Sequence, residues 1–368
     1  MKHLVTLLLA LVFAGKALAA DTEGAPSSRI SVAKDVTLNI NALSQFRYTW
    51  ADGEPATKGT SSFGVKVARL KFSGDLPENF KYSFLLAFER MPSTYTVATN
   101  SALYEWTLSY APGPAFGLSA GQFAVPSGGE VLAATERLDF VSRYYAQDRM
   151  LNPSANRDTG VMASGKVLGE KLQYWAGVFN GEGANIDPNA NRKFLYAGRL
   201  AWTPWRRKGG FRDDAFTAAA SATAERTQAD ASSMRAKDLG GIAFTRAYAR
   251  RVYEGDAAWR RGPLALSGEY MTAWLGGGGA DPKVKGEGWH LTGAYLLPGD
   301  RWELLVRRQA YDPDVSVRNK YDLAWTTLGV NRFIKGQTVR LAFNYTFKEE
   351  KKGHLDNDEA AVQLQLWF

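Results

Sequence analysis

The last ten residues, Glu359–Phe368, read E-A-A-V-Q-L-Q-L-W-F, and their pattern decides the fold class. One face of an extended chain would carry Val362, Leu364, Leu366 and Phe368. The opposite face would carry Ala361, Gln363, Gln365 and Trp367. Because alternation with a period of two is typical of a β-strand with unlike faces, we predict a strand that runs to the terminal carboxylate.

A second stretch shows what the two faces contact. Between Val339 and Lys348 one face carries Val339, Leu341, Phe343, Tyr345 and Phe347. The other face carries Arg340, Ala342, Asn344, Thr346 and Lys348. A charged side chain that faces lipid near the middle of a membrane costs about 2–4 kcal/mol. If these strands cross a membrane, the charged face therefore lines a water-filled lumen.

Sixteen segments have strand character, and most are about 10–14 residues long, the length that a tilted strand needs to cross a membrane. We predict strands at residues 36–51, 62–76, 80–91, 102–112, 115–126, 158–169, 171–181, 194–205, 215–226, 250–261, 263–275, 286–298, 301–313, 321–334, 337–350 and 358–368. Residues 227–249 are the least certain region of this count, because Gly240–Ala249 fits either another short strand or a folded loop.

The connections between these segments alternate in length. Tight turns at 75–79, 112–114 and 261–263 alternate with longer polar loops such as 52–61 and 276–285. Short turns on one side and long loops on the other are typical of outer-membrane barrels. We therefore predict an all-β fold, a transmembrane antiparallel β-barrel of about 16 strands with both termini on the periplasmic side. One turn is an exception: Thr203–Asp214 is long and contains Arg206, Arg207 and Lys208, and we predict that it is solvated.

The beginning of the chain predicts export. Met1-Lys2 precedes an apolar run, Leu4–Gly15, and Ala17-Leu18-Ala19 follows with the small residues of a cleavage site. This order is typical of a secretory signal peptide, so we expect residues 1–20 to be removed by cleavage after Ala19 or Ala20. Residues 21–35 are predicted to be a short, flexible periplasmic lead-in, and residues 36–368 the barrel. The chain has no cysteine, and a closed barrel provides stability without disulfides because its backbone groups pair between strands.

The terminal residue predicts a partner and a location. Phe368 at the end of the last strand resembles the signal by which the outer-membrane assembly machinery recognises its substrates. We therefore expect the bacterial outer membrane as the location, with its lipid and lipopolysaccharide around the barrel.

One connection is far longer than the others. Residues 127–157 form a loop of about 31 residues, and loops of that length in compact proteins are usually functional. The apolar residues that need burial within it are Val131, Leu132, Leu138, Phe140, Val141, Tyr144, Tyr145, Met150 and Leu151. In a barrel the available place is the lumen, so we predict that this constriction loop folds against the wall and narrows the channel.

Around this loop the sequence resembles the phosphate-selective porins O and P. The similar segments are Gly121–Pro126 (G-Q-F-A-V-P), Leu138–Val141 (L-D-F-V), Arg157–Val161 (R-D-T-G-V), Gly177–Gly181 (G-V-F-N-G) and Trp302–Arg307 (W-E-L-L-V-R). Their order fits nearly the whole exported chain. The resemblance implies a sixteen-stranded barrel, a homotrimer, a constriction loop and a basic lumen.

The constriction departs from that family's pattern. Phosphate-selective members use lysines at the constriction and an arginine ladder along the lumen, whereas residues 121–160 contain no lysine. Ala124 stands where a basic residue often sits. Arginine binds phosphate through its planar fork, and the candidates to replace the lysines are Arg137, Arg143, Arg149 and Arg157. The alternative is that they pair with the adjacent acids Glu136, Asp139, Asp148 and Asp158, so phosphate is one candidate among small anions.

The period of two also places basic residues in the lumen. The residues predicted to point inward are Arg47, Arg69, Lys71, Arg199, Arg307 and Arg340. A basic lumen raises the local concentration of anions, and rings of Arg and Lys select them. The alternative is that each arginine pairs with an inward acid, such as Glu89, Glu105, Glu269 or Glu303, and only braces the wall.

These features predict a water-filled outer-membrane channel for the passive diffusion of small, anionic solutes. A structural or adhesive barrel whose lumen is plugged by the loop is the alternative. An enzyme is not predicted: of the three histidines, His3 is in the signal peptide, His354 is in a mixed-charge loop, and His290 fits a hydrogen-bonded wall residue. No phosphate loop or metal cluster is present, so we predict no cofactor and no metal. The basic pI of about 9.4 does not indicate nucleic acid, since export and dispersed charges exclude that partner.

Overall fold

The computed structural model describes residues 28–53, 59–90, 102–151, 156–186, 189, 192–227, 247–276, 283–318, 321–352 and 357–368. Its first strands are β1 Ser28–Ala33, β2 Val36–Ala51, β3 Thr60–Asp75, β4 Phe80–Ala87, β5 Leu103–Gly113, β6 Phe116–Ala124, β7 Arg157–Val167, β8 Leu172–Phe179 and β9 Leu195–Arg207. The second half contributes β10 Asp214–Thr227, β11 Tyr248–Arg261, β12 Leu264–Gly276, β13 Lys283–Leu296, β14 Trp302–Asp312, β15 Leu323–Lys335, β16 Val339–Glu350 and β17 Glu359–Trp367.

Strands β2 to β17 form one closed antiparallel barrel. Each strand pairs with the next along the chain, and β17 pairs with β2 to close the ring. The predicted sixteen-stranded barrel is therefore confirmed. The largest difference at a strand end is in β4, which stops at Ala87 because Phe88–Arg90 form a 3-10 turn. The predicted uncertain segment Gly240–Ala249 lies mostly outside the described residues, and its last two residues begin β11.

The segment before the barrel is more ordered than the sequence indicated. Residues 28–33 lie in the predicted flexible lead-in, yet they form β1, which pairs with residues 36–40 of β2. The physical reason is a polar and apolar alternation in S-R-I-S-V-A, followed by a tight turn in which Asp35 has a positive φ of 59°. The predicted signal peptide, residues 1–20, lies outside the described residues.

The two faces of the barrel wall differ as the alternation predicted. Large apolar side chains cover the outside, where Phe63 is 71% exposed and Leu291 is 61% exposed. Adjacent arginines in β14 separate onto opposite faces: Arg307 is buried inside, and Arg308 lies outside with Glu349 at 2.9 Å. Within the described part of the chain, no helix is long and apolar enough to cross a membrane.

The constriction loop lies inside the barrel and forms the core with the wall. It contains helix α1 Gly129–Leu132, a 3-10 turn Thr135–Arg137 and helix α2 Tyr145–Met150. The buried cluster shared by loop and wall consists of Val131, Tyr144, Ala146, Met150, Leu151, Val252, Met271, Ala273 and Tyr311. Burial of the loop's apolar residues is thus confirmed for most of those predicted, and Leu132 is an exception at 36% exposure. A wall glycine permits the close approach, because a Cβ on Gly288 would lie 2.1 Å from Ala146 Cβ.

The turn between β9 and β10, residues 208–213, is solvated only in part: Lys208–Gly210 and Asp213 are exposed as predicted, but Phe211 and Arg212 are half-buried. Phe211 packs on the buried Phe333 with ring centroids 4.6 Å apart. Arg212 forms ion pairs with Asp139 of the constriction loop and Glu303 of the wall. The prediction missed the burial of Phe211 and Arg212 because it weighed Arg206, Arg207 and Lys208, which are exposed, and not the Phe-Arg pair that follows two glycines.

Candidate ion pathway

The base of the loop is shaped by the segments that resemble the porin family. Gly121 has a φ of 131°, and a Cβ there would lie 2.1 Å from the Trp106 carbonyl oxygen, so only glycine fits. Asp158 is fully buried and accepts hydrogen bonds from the backbone N–H groups of Gly181 at 2.9 Å and Gly183 at 3.2 Å. These segments therefore hold the two strand ends between which the constriction loop enters the lumen.

Three of the predicted lumen arginines hold the loop against the wall. Arg340 Nη1 donates to the Leu138 carbonyl oxygen at 2.7 Å. Arg47 donates to the Val141 carbonyl oxygen and to Ser142 Oγ. Arg307 pairs with Glu130 and donates to the Ser142 carbonyl oxygen at 3.2 Å. All three point inward as predicted, and each one contacts the loop directly.

The Glu130 carboxylate of the loop is kept ionised by these contacts. Burial alone would raise its pKa, but Arg307, His290 and the Tyr144 backbone N–H outweigh burial and lower the pKa of Glu130 below its ordinary value. The Glu130–Arg307 pair therefore persists at neutral pH as a buried connection between loop and wall. His290 Nδ1 forms a hydrogen bond with Thr292 Oγ1 at 3.2 Å, so His290 is a hydrogen-bonded residue of the wall, as the sequence predicted.

Three further predicted cations are paired with acids. Arg69 Nε lies 2.7 Å from Glu89, and Arg157 Nη2 lies 2.8 Å from Glu105. Arg199 pairs with Glu254 at 3.0 Å and with Asp256 at 2.6 Å. For these arginines the structure agrees with the alternative in which inward acids compensate the charge. They brace the wall of the lumen and add little net field.

Two predicted cations are exposed in the lumen. Lys71 borders a cavity of about 230 Å³ between the loop and strands β2–β5, together with Arg69 and Arg157. Arg137 borders a second cavity of about 370 Å³, and its guanidinium lies 5.8 Å from the ring of Trp367, which lines the cavity of Lys71. Among the described residues, no acid forms an ion pair with either side chain. Their charges are therefore available to a passing ion.

The remaining predicted arginines lie within the loop. Arg143 donates to the carbonyl oxygens of Glu130 at 3.0 Å and Ala133 at 2.8 Å, and so closes the loop on itself. Arg149 lies over the Tyr145 ring at 4.8 Å. Ala124 lacks the basic side chain that often sits at this position. It is paired in register with Arg157 of the neighbouring strand, which places a basic residue beside it. The four arginines predicted to replace the lysines are thus spread around the loop and do not form one cluster.

The lumen also contains acids that sequence reasoning did not weigh together. The cavity of about 370 Å³ is lined by Asp139, Asp256 and Glu269 as well as by Arg137 and Arg260. Arg212 and Arg260 were not predicted, because a turn was assigned to solvent and because Arg260-Arg261 gives no clear face. Among the described residues, no group of three or more His, Cys, Asp or Glu could hold a metal ion.

Comparison with known proteins agrees with this architecture. The family model for phosphate-selective porin O and P matches residues 38–368. The anion-selective porin from Comamonas acidovorans is 14% identical, with a TM-score of 0.66 over 90% of this chain and 100% of that chain. The outer membrane channel DcaP of Acinetobacter baumannii is 11% identical, with a TM-score of 0.62 over 95% and 100%.

A third structure, the trimer form of OmpT from Vibrio cholerae, is 12% identical with a TM-score of 0.63 over 90% of this chain and 99% of that chain. At these identities the structures show a shared fold. No curated protein sequence matches the chain.

Proposed function

Since this chain belongs to the phosphate-selective porin O and P family and forms a passive diffusion channel of the bacterial outer membrane, we propose that its lumen prefers small anions. The observation that supports this preference is the set of cations without an acidic partner. Lys71 and Arg137 are both exposed to the lumen. Positive charge beside a narrow, low-dielectric passage raises the local anion concentration.

Three arginines strengthen the same field. Arg47, Arg143 and Arg340 donate to carbonyl, amide or hydroxyl oxygens, all of which are neutral. A neutral acceptor leaves the net charge of a guanidinium in place, whereas a carboxylate cancels it. Arg199, Arg69 and Arg157 are cancelled in that way. The preference for anions therefore rests on a few uncompensated cations and is expected to be moderate.

Phosphate is one of the solutes that we propose, without strong selection for it. Tight phosphate binding needs several donors that converge on one anion. The exposed cations Lys71 and Arg137 border different cavities, and the cavity of Lys71 also contains Glu105 and Glu136. We therefore expect phosphate to pass, and to block chloride current only weakly.

The same proposal includes the partners and the export route. We propose a homotrimer surrounded by lipid and lipopolysaccharide, delivered after cleavage of residues 1–20 and inserted by the assembly machinery through Phe368. The trimer form of OmpT from Vibrio cholerae supports trimerisation in a protein with this fold. Phe368 is exposed and exchanges backbone hydrogen bonds with Ala42 at 2.6 and 3.0 Å. We propose no enzymatic activity, because the fold and family are those of a channel.

Ion substitution in a planar bilayer tests the preference. Replacing chloride with the bulky gluconate anion is expected to lower single-channel conductance strongly, whereas replacing potassium with a bulky organic cation is expected to change it little. The opposite ranking would contradict anion preference. Absence of current steps from the folded protein would instead favour the plugged structural barrel.

A further inference from the structure

The periplasmic turn between β9 and β10 folds back toward the barrel axis. Gly209 makes this possible, because a Cβ there would lie 1.9 Å from the Arg212 carbonyl oxygen. Phe211 then packs on Phe333, and the Arg212 guanidinium lies 5.7 Å from the centroids of both rings. Such packing is not expected of an exposed turn. It brings the Arg212 side chain into contact with residues outside the turn.

That contact is with the constriction loop. Arg212 Nη1 lies 2.8 Å from Asp139 Oδ1 and 3.3 Å from Glu303 Oε1. Glu303 is fully buried, and Arg212 is 18% exposed, so water screens the pair little. Both acids accept from the same guanidinium nitrogen, Nη1, so Arg212 bridges Asp139 and Glu303 directly. The turn therefore ties one wall strand and the loop together.

Asp139 lies at the end of the loop that is farthest from its entry points. The loop leaves β6 at Ala124 and joins β7 at Arg157, both at the extracellular ends of those strands. Leu138 and Asp139 instead contact Arg340 and Asn331, near the periplasmic ends of β16 and β15. Arg212 approaches this region from the periplasmic side and adds a contact from an independent segment of chain.

We propose that the turn 208–213 is a tether for the constriction loop, with Arg212 as the positioning residue that keeps the loop against β14–β16 and the channel open. Without the tether, only the contacts with Arg340 and Asn331 would hold the segment around Asp139 against this wall. Excursions of this segment toward the axis would then close the passage. The proposal rests on the channel function and is independent of the preference for anions.

Two substitutions that change the charge in opposite directions distinguish a tether from an effect of the local electric field on the passing ion. Arg212→Gln and Asp139→Asn both remove the ion pair, but one removes a cation and the other an anion. We expect both variants to close several times more often than the wild type in single-channel recordings, with Arg212→Lys intermediate. Lys208→Gln is the matched control, because Lys208 is an exposed cation of the same turn, and it is expected to behave as wild type.

Two outcomes would overturn the proposal. One is a closure frequency for Arg212→Gln equal to that of Lys208→Gln. The other is a change of opposite sign in Arg212→Gln and Asp139→Asn, which would show that Arg212 acts only through its charge. Reversal potentials from the same bilayers report ion preference separately, so a failure of the proposed anion preference remains distinguishable.

Hydrogen exchange of the detergent-folded protein gives a second readout that needs no current. The Val141 N–H donates to Asn344 Oδ1 at 2.8 Å, so its exchange reports whether the loop is seated on the wall. We expect faster exchange around Leu138–Val141 in Arg212→Gln and also in Gly209→Ala, which disturbs the turn without altering charge. Unchanged exchange in both variants, with a folded barrel, would overturn the tether.

Discussion

Arg157 Nη2 and Glu105 Oε1 lie 2.8 Å apart on the lumen wall, and the Arg157 guanidinium also lies 4.5 Å from the Tyr104 ring centroid. The residue that sequence similarity places at the constriction is thus compensated by an acid 52 positions earlier. Its charge supports the wall, and the net field comes from other side chains.

This pair makes a prediction about ion preference. Arg157→Gln exposes an uncompensated Glu105 and is expected to shift permeability toward cations. The double variant Arg157→Gln with Glu105→Gln is expected to return close to wild type, because the net charge is restored. Reversal potentials of the wild type, both single variants and the double variant check this cycle. A double variant whose reversal potential stays as cation-shifted as that of Arg157→Gln would contradict this expectation.

Lys71 should behave differently from Arg157. A unit charge about 8 Å away through water changes the energy of a passing ion by about 0.5 kcal/mol, with opposite sign for an anion and a cation, so their permeability ratio changes about fivefold. We expect Lys71→Gln and Arg137→Gln each to lower the anion-to-cation permeability ratio by about that factor. Lys335→Gln, an exposed cation at the periplasmic end of β15, is the control. An unchanged ratio in both lumen variants would remove these two residues from the pathway.

The period of two was sufficient to predict the strands and the inward direction of Arg47, Arg307 and Arg340, because a strand has only two faces. It could not predict which arginines are compensated. Arg69 pairs with Glu89, which lies just after the neighbouring strand β4. Arg340 and Arg47 instead donate to carbonyl oxygens of the constriction loop, and the alternation of strand residues does not predict the path of a loop. Arg212 was missed for a related reason: its environment depends on Gly209, Phe211 and a loop residue 73 positions earlier.

The packing of helix α2 on the wall makes a prediction about stability. Gly288→Ala would place a methyl group 2.1 Å from Ala146 Cβ, and overpacking of this kind costs about 1–3 kcal/mol. We expect faster tryptic cleavage after Arg149 in this variant. Gly276→Ala is the matched control in the neighbouring strand, where a Cβ meets nothing within 4 Å. Equal cleavage rates in both variants would show that α2 does not need the close approach.

The contact between Arg212 and Asp139 also predicts a pH dependence. Burial would raise the pKa of Asp139, but Arg212, Arg260 and Arg340 outweigh burial and lower this pKa below its ordinary value. A lowered pKa in the folded protein adds stability above the ordinary aspartate pKa of about 3.9, and that stability is lost as pH falls through the lowered value. Closure frequency is therefore expected to stay constant from neutral pH down to about 4. A rise that depends on Asp139 near pH 6 would contradict this expectation.

The reversal potential of the folded wild-type protein, in a planar bilayer with a KCl gradient, tests anion preference most directly. Uncompensated cations at Lys71, Arg137, Arg47, Arg143 and Arg340 predict a potential of the sign set by chloride, and a smaller potential in Lys71→Gln. A potential of the sign set by potassium would contradict the proposal, because it would show that Asp139, Asp256 and Glu269 control the lumen.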